Sequence, residues 1–130
     1  MRGRVRVTRP EDMNAAFAEA CNSGDVEQVL ALYEPDALLA PQPGRRARGE
    51  TEIREALLEL LALHGRMTST NAYCMPVGDL ALLQGDWTFA GTGPDGTPVE
   101  LAGRSAEVVR RQPDGSWRYV IDHPFGFDGQ

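Results

Sequence analysis

Residues 21–60 read CNSGDVEQVLALYEPDALLAPQPGRRARGETEIREALLEL, and the punctuation inside this stretch decides the fold. Ser23-Gly24 breaks a helix, and Asp25 is a good N-cap for the next one. Val26, Val29, Leu30 and Tyr33 mark one helical face before Pro35 stops it. Ala37 to Ala40 is a short apolar run that reads as a strand. Pro41, Pro43 and Gly44 then make a turn, because proline and glycine continue neither a helix nor a central strand. From Thr51 to His64 the apolar period returns to that of a helix, with Ile53, Ala56, Leu57, Leu60, Leu61 and His64 on one face and Gly65 after it.

Upstream, Thr8 and Glu11 form a T-x-x-E capping box, followed by Met13, Ala16, Phe17, Ala20 and Cys21 at helical spacing. This predicts a first helix over about Pro10 to Asn22. Downstream of Met67 the period changes to two. Strand-like runs cover about Met67–Val77, Leu80–Gly91, Pro98–Arg111 and Trp117–Pro124, separated by Gly78-Asp79, Gly93-Pro94-Asp95-Gly96 and Pro113-Asp114-Gly115. Helices first and strands afterwards predict an α+β domain with a four-stranded antiparallel meander.

The chain has 130 residues, near the usual size of one domain, so residues 10–130 are expected to form a single core behind an arm of residues 1–9. The arm's arginines alternate with Gly3, Val5 and Val7, as a strand paired in a dimer would, or as an exposed tail would. It holds no apolar core of a secretory signal, and the default location is cytoplasmic. A net charge of −6 repels phosphate and argues against nucleic acid or an anionic membrane as partner. No apolar stretch approaches the roughly 20 residues that a bilayer-crossing helix needs. All 13 basic residues are arginine, which removes Schiff-base or general-base chemistry on lysine. Cys21 and Cys74 lack a C-x-x-C spacing, and the two histidines, His64 and His123, lie far apart, so no metal site is expected.

The residues quoted above, with Gly24-Asp25 at the first corner, Leu32-Tyr33 before Pro35-Asp36-Ala37, and Gly49 ahead of Glu52-Ile53-Arg54, resemble the front half of nuclear transport factor 2-like proteins. The likeness is to their ketosteroid isomerase-like and SnoaL-like branches. EVVRRQPDGSWRYVIDH, residues 107–123, is similar to the final hairpin of that branch. The resemblance covers about Pro10 to Pro124. It implies a cone, in which a curved, mixed or antiparallel sheet and three N-terminal helices enclose a pocket, with homodimers commonly formed through the sheet.

The resemblance also implies catalytic positions, and most of them are vacated. Counted from the Gly24-Asp25 corner, the tyrosine of ketosteroid isomerases falls on Phe17 and the proton-moving aspartate on Pro41, or on Ala40 if the register slips. Neither phenylalanine nor proline does that chemistry. The third position, a carboxylic acid that donates to the developing oxyanion, falls on Glu107. A carboxyl there facing an apolar cavity has its pKa raised by desolvation; facing solvent, it pairs instead with Arg104 or Arg110.

On the last strand Trp117, Tyr119, Ile121 and His123 alternate with Arg118, Val120 and Asp122, which aims His123 inward beside Glu107. A one-residue turn of the strand would exchange the faces and present Asp122. The expected catalytic set is therefore Glu107 with His123, and Asp122 as the alternative. Phe17, Tyr33, Pro41, Trp87, Phe89 and Tyr119 are the expected pocket wall. Arg45, Arg46 and Arg48 sit in a loop that would hold an anionic ligand group or simply be solvated.

These readings leave two functions. One is cofactor-free acid–base chemistry, as an isomerase, cyclase or dehydratase, on a small apolar carbonyl compound. The other is a binding or dimerisation module that holds such a ligand without reacting it.

Overall fold

The computed structural model describes residues 6–126, so the arginines at positions 2 and 4 and their expected pairing lie outside the described residues. After a 3-10 turn at Pro10–Asp12 come α1 (Met13–Ser23) and α2 (Val26–Leu30), then β1 (Tyr33–Gln42), β2 (Arg45–Arg48) and α3 (Gly49–Leu61). Five strands follow: β3 (Arg66–Val77), β4 (Leu80–Thr92), β5 (Pro98–Arg104), β6 (Ala106–Arg111) and β7 (Trp117–His123).

The helical corner forms as its residues dictate. Gly24 takes φ 77°, which glycine tolerates, and its N–H closes α1 on the Cys21 carbonyl at 3.1 Å. Asp25 caps α2 by accepting from the Glu27 amide at 2.9 Å. The Thr8–Glu11 capping box does not form. The 3-10 turn starts after Arg9, whose guanidinium takes the Glu11 carboxylate at 2.7 Å.

Helix two is shorter and the first strand longer than the sequence predicts. Tyr33 opens β1 rather than ending α2, and Pro35 sits in an irregular part of that strand. Pairing with β7 skips from Tyr33 to Leu38, so residues 34–37 need no ladder hydrogen bond to β7. Pro41 is tolerated in the same way, between Leu39 and Gln42, where the pairing with β2 shifts. Helix three ends at Leu61, and His64 follows in a left-handed turn at φ 47°.

The expected meander is present, but it is part of a larger mixed sheet of seven strands, six of them in the order β2-β1-β7-β6-β4-β3 and the seventh, β5, paired with β4. β1 runs parallel to β7, which links the helical half to the end of the chain. The predicted strand 98–111 is broken at Ser105 into β5 and β6, both paired with the long β4. Val7 adds to the far end of β7, its carbonyl accepting from the Trp117 amide at 2.7 Å.

The sheet curves, and the helices cover its concave face. α3 turns Ile53, Ala56 and Leu57 onto β1, while α1 lies against β3. Burying each large aliphatic side chain there contributes roughly 1.5–3 kcal/mol. From the sheet, Leu83, Val109 and Tyr119 meet them, all essentially inaccessible.

Candidate active site

A cavity of about 520 Å³ opens between α1, α3 and the concave sheet. Its wall is mainly apolar: Phe17 from α1, Leu57 and Leu60 from α3, Met67 from β3 and Trp87 from β4 all face it. At its inner end β6 and β7 place two carboxyl groups side by side, because Glu107 and Asp122 are directly paired residues. Both are 4% exposed and both line the cavity.

A bulge decides which residue of β7 faces in. Val109 pairs with Tyr119 but Val108 pairs with Ile121, so Val120 is an extra residue and the alternation inverts beyond it. Trp117 and Tyr119 point inward as the sequence predicts. Beyond the bulge Ile121 turns outward and Asp122 inward. His123 is consequently half-buried and not among the cavity-lining residues, a correction to the expected pairing of His123 with Glu107.

The two acids differ in their surroundings. Asp122 accepts from the Tyr33 hydroxyl at 2.5 Å. Burial pushes its pKa up to about 6, against the opposing pull of that hydrogen bond. Glu107 is pushed further, to about 8, first by desolvation and then by the charge of Asp122, while the neighbouring Ser105 hydroxyl and the Asn14 amide oppose the rise. Two adjacent buried carboxyls do not both ionise readily, so the pair retains a proton to higher pH than an isolated carboxyl would, the push being stronger at Glu107. The hydroxyls of Tyr33 and Tyr119 are held well above their ordinary value by burial and by Asp122.

Of the expected wall residues, Phe17, Pro41, Trp87 and Tyr119 line the cavity. Tyr33 lies one layer behind, reaching the site through Asp122 and meeting the Tyr119 ring at 5.2 Å. Phe89 is buried but not part of the wall. The turn after α3 packs directly on its ring, so closely that a Cβ on Gly65 would lie 2.3 Å from Phe89 Cζ. Arg45, Arg46 and Arg48, expected in a loop, lie instead on β2, and of the three only Arg45 reaches the cavity rim, where two hydrogen bonds of 2.8 and 3.1 Å tie it to Glu59 of α3. Pro124 and Phe125 close another side, fixed by the Trp87 indole N–H on the Pro124 carbonyl at 2.7 Å.

Two polar residues that sequence reasoning passed over belong to the site. Asn14 is buried against Glu107 and Tyr119, and Ser105 bonds both backbone groups of Gly85. Asn14 was detectable in principle: with Phe17, Ala18 and Cys21 it occupies one face of α1, and a polar residue on a core-facing stripe needs partners. Among the described residues no group of three or more His, Cys, Asp or Glu is placed to hold a metal ion, and no helix is long and apolar enough to cross a membrane.

The cone, its pocket and the inward acids define a nuclear transport factor 2-like domain, and the chain belongs to the SnoaL-like domain family, whose profile matches residues 14–120. Solved structures agree on the fold. A ketosteroid isomerase-like protein from Erwinia carotovora atroseptica is 24% identical, with 83% of this chain and 85% of that one covered and a TM-score of 0.72. A nuclear transport factor 2-like protein with a cystatin-like fold from Novosphingobium aromaticivorans is 21% identical over 92% of this chain and 80% of that one, TM-score 0.74. A protein from Streptomyces avermitilis, provisionally called a dehydratase of the same superfamily, is 22% identical over 85% and 88%, TM-score 0.70. No curated protein matches the chain.

Proposed function

We propose that the protein catalyses cofactor-free proton transfer on a small, largely apolar carbonyl compound, as an isomerase or dehydratase. The observation that carries this is the directly paired Glu107 and Asp122, both buried and both lining an apolar cavity, an arrangement in which one acid keeps its proton while the other ionises. Asp122 takes a proton from the carbon next to the carbonyl. Glu107 donates to the carbonyl oxygen, so the electron pair released from the C–H bond is received as an enol. Asp122 then gives the proton up at another carbon, completing an isomerisation, or to a departing β-hydroxyl that leaves as water, completing a dehydration; in either case Glu107 regains its proton from the enol. Phe17 and Pro41 leave the steroid-isomerase route without its tyrosine and aspartate, and Asp122 takes the base role from a different strand. The provisional names of the structural relatives, isomerase-like and dehydratase, are compatible with this chemistry.

The test is exchange of the α-protons of a panel of cyclic ketones and enones for deuterium, followed by NMR, with binding read from Trp87 fluorescence. Wild type is expected to exchange at least one ligand that it binds. Asp122→Asn should slow exchange by roughly 10²-fold or more while binding persists. Binding without exchange in the wild type would instead mark a non-catalytic ligand-binding module.

The same reading has two copies meet through the outer face of the sheet. Met75, Leu82, Val108, Ile121 and Leu38 are successive paired residues across five strands, forming one apolar ladder, and Met75, Leu82 and Ile121 are exposed in the single chain. The two free thiols, Cys21 and Cys74, suit the reducing conditions of the cytoplasm.

A further inference from the structure

The hydrogen bonds around Glu107 have a direction that is set from outside the site. The carbonyl oxygen of Glu11 can only accept. Asn71 therefore turns its Nδ2 to it, at 2.5 Å, and is left with Oδ1 facing inward. That oxygen requires a donor, which Asn14 supplies from its own Nδ2 at 2.9 Å. With its amide so oriented, Asn14 presents Oδ1 to the Tyr119 hydroxyl, which donates to it at 2.7 Å. The second N–H of Asn14 Nδ2 points to Glu107 Oε1, at 3.2 Å. Flipping Asn14 would set carbonyl oxygen against carbonyl oxygen at Asn71, so the chain has one stable polarity.

We propose that Asn14 is a positioning residue for Glu107: it presents an N–H that cannot reverse to Oε1, so the carboxyl carries its proton on Oε2 and serves as a donor in one fixed orientation. The proposal rests on the acid role given to Glu107 above. A neutral carboxyl accepts best through its carbonyl oxygen, and the amide selects which oxygen that is. The site is also built around Asn14. The facing residue of β4 is Gly85, where a Cβ would come 2.8 Å from Asn14 Nδ2 and 3.1 Å from the Ser105 hydroxyl. Tyr119, bound to Asn14, is committed as a donor and is thereby removed as a competing acid. The titratable groups packed around Glu107 are Asp122 and Tyr119 of β7, with Tyr33 of β1 and Cys21 of α1 behind them.

The experiment follows the Glu107 side-chain carboxyl by carbon-13 NMR against pH, assigned by its disappearance in Glu107→Gln. Asn14→Leu removes the N–H at similar volume, and Asn14→Ser is a milder variant that is too short to reach. Loss of a donor that favours the ionised carboxyl should raise the Glu107 midpoint by roughly one pH unit in each. Val29→Ala, which truncates a fully buried side chain of α2 outside the cavity wall, should lower Tm without moving that midpoint. A midpoint unchanged in whichever Asn14 variant folds, alongside a fall in Tm, reduces Asn14 to a packing residue and overturns the proposal. Should wild-type Glu107 titrate as an ordinary carboxylate, the proposal and the proposed function fall together. A midpoint that moves as expected in a protein that exchanges no ligand proton upholds the proposal and removes only the function.

Discussion

Replacing Glu107 by Gln should make the protein more stable at neutral and alkaline pH, not less. Glutamine keeps the carbonyl that accepts from Asn14 and the shape that β6 packs, but it has no charge to desolvate. In the wild type the folded state holds the Glu107 proton up to about pH 8, whereas an ordinary glutamate releases it near 4.5. Between those values the folded chain binds more protons than the unfolded chain, so wild-type stability falls as pH rises. Below the ordinary value both states are protonated and the penalty vanishes. At pH 7 the gap from 4.5 is about 2.5 pH units, which at about 1.36 kcal/mol each gives an upper bound of about 3 kcal/mol. Asp122, raised to about 6, adds a smaller fall of the same sign between about pH 4 and 6, and that part persists in the variant. Urea denaturation followed by circular dichroism from pH 4.5 to 8.5 measures this directly. The two proteins should be nearly equally stable at pH 4.5 and diverge steadily up to pH 8, with Glu107→Gln the more stable. A wild-type stability that is flat across the window, or a variant destabilised equally at every pH, would refute the reasoning and place Glu107 in solvent contact.

Other expectations follow from the same geometry. Tyr33→Phe removes the 2.5 Å hydrogen bond that opposes the rise of Asp122, so the Asp122 midpoint should climb above about 6 by roughly one pH unit in a carbon-13 titration. Gly85→Ala should cost about 1–3 kcal/mol in thermal denaturation, since the new methyl meets Asn14, the Ser105 hydroxyl and, at 3.3 Å, the Thr70 carbonyl. Leu82→Arg, at the middle of the outer apolar ladder, should convert a dimer to a monomer in sedimentation velocity without loss of secondary structure; a monomeric wild type would end the dimer reading.

The α+β order, the Gly24-Asp25 corner, the helix built on Ile53, Ala56 and Leu57, and the two-residue period after Met67 were legible because each depends on neighbours within a few residues. The likeness to nuclear transport factor 2-like proteins rested on the same local signals in order. Glu107 was reachable only through that resemblance, which puts a carboxylic acid at its position on the strand before the Pro113-Asp114-Gly115 turn.

What only the tertiary structure decided is which side chains share the cavity. The bulge at Val120 has no side-chain signature, since an extra residue in a strand is an accommodation between two paired backbones. Yet it turns Asp122 in and His123 out. Phe89 was lost from the wall because a turn from a different part of the chain, 63–65, packs upon it. Asn14 entered the site because its partners, Asn71, Glu107 and Tyr119, arrive from three strands distant in sequence. Sequence periodicity fixes a residue's face relative to its own element; which faces meet, and how far burial shifts an acid there, is decided when the elements pack.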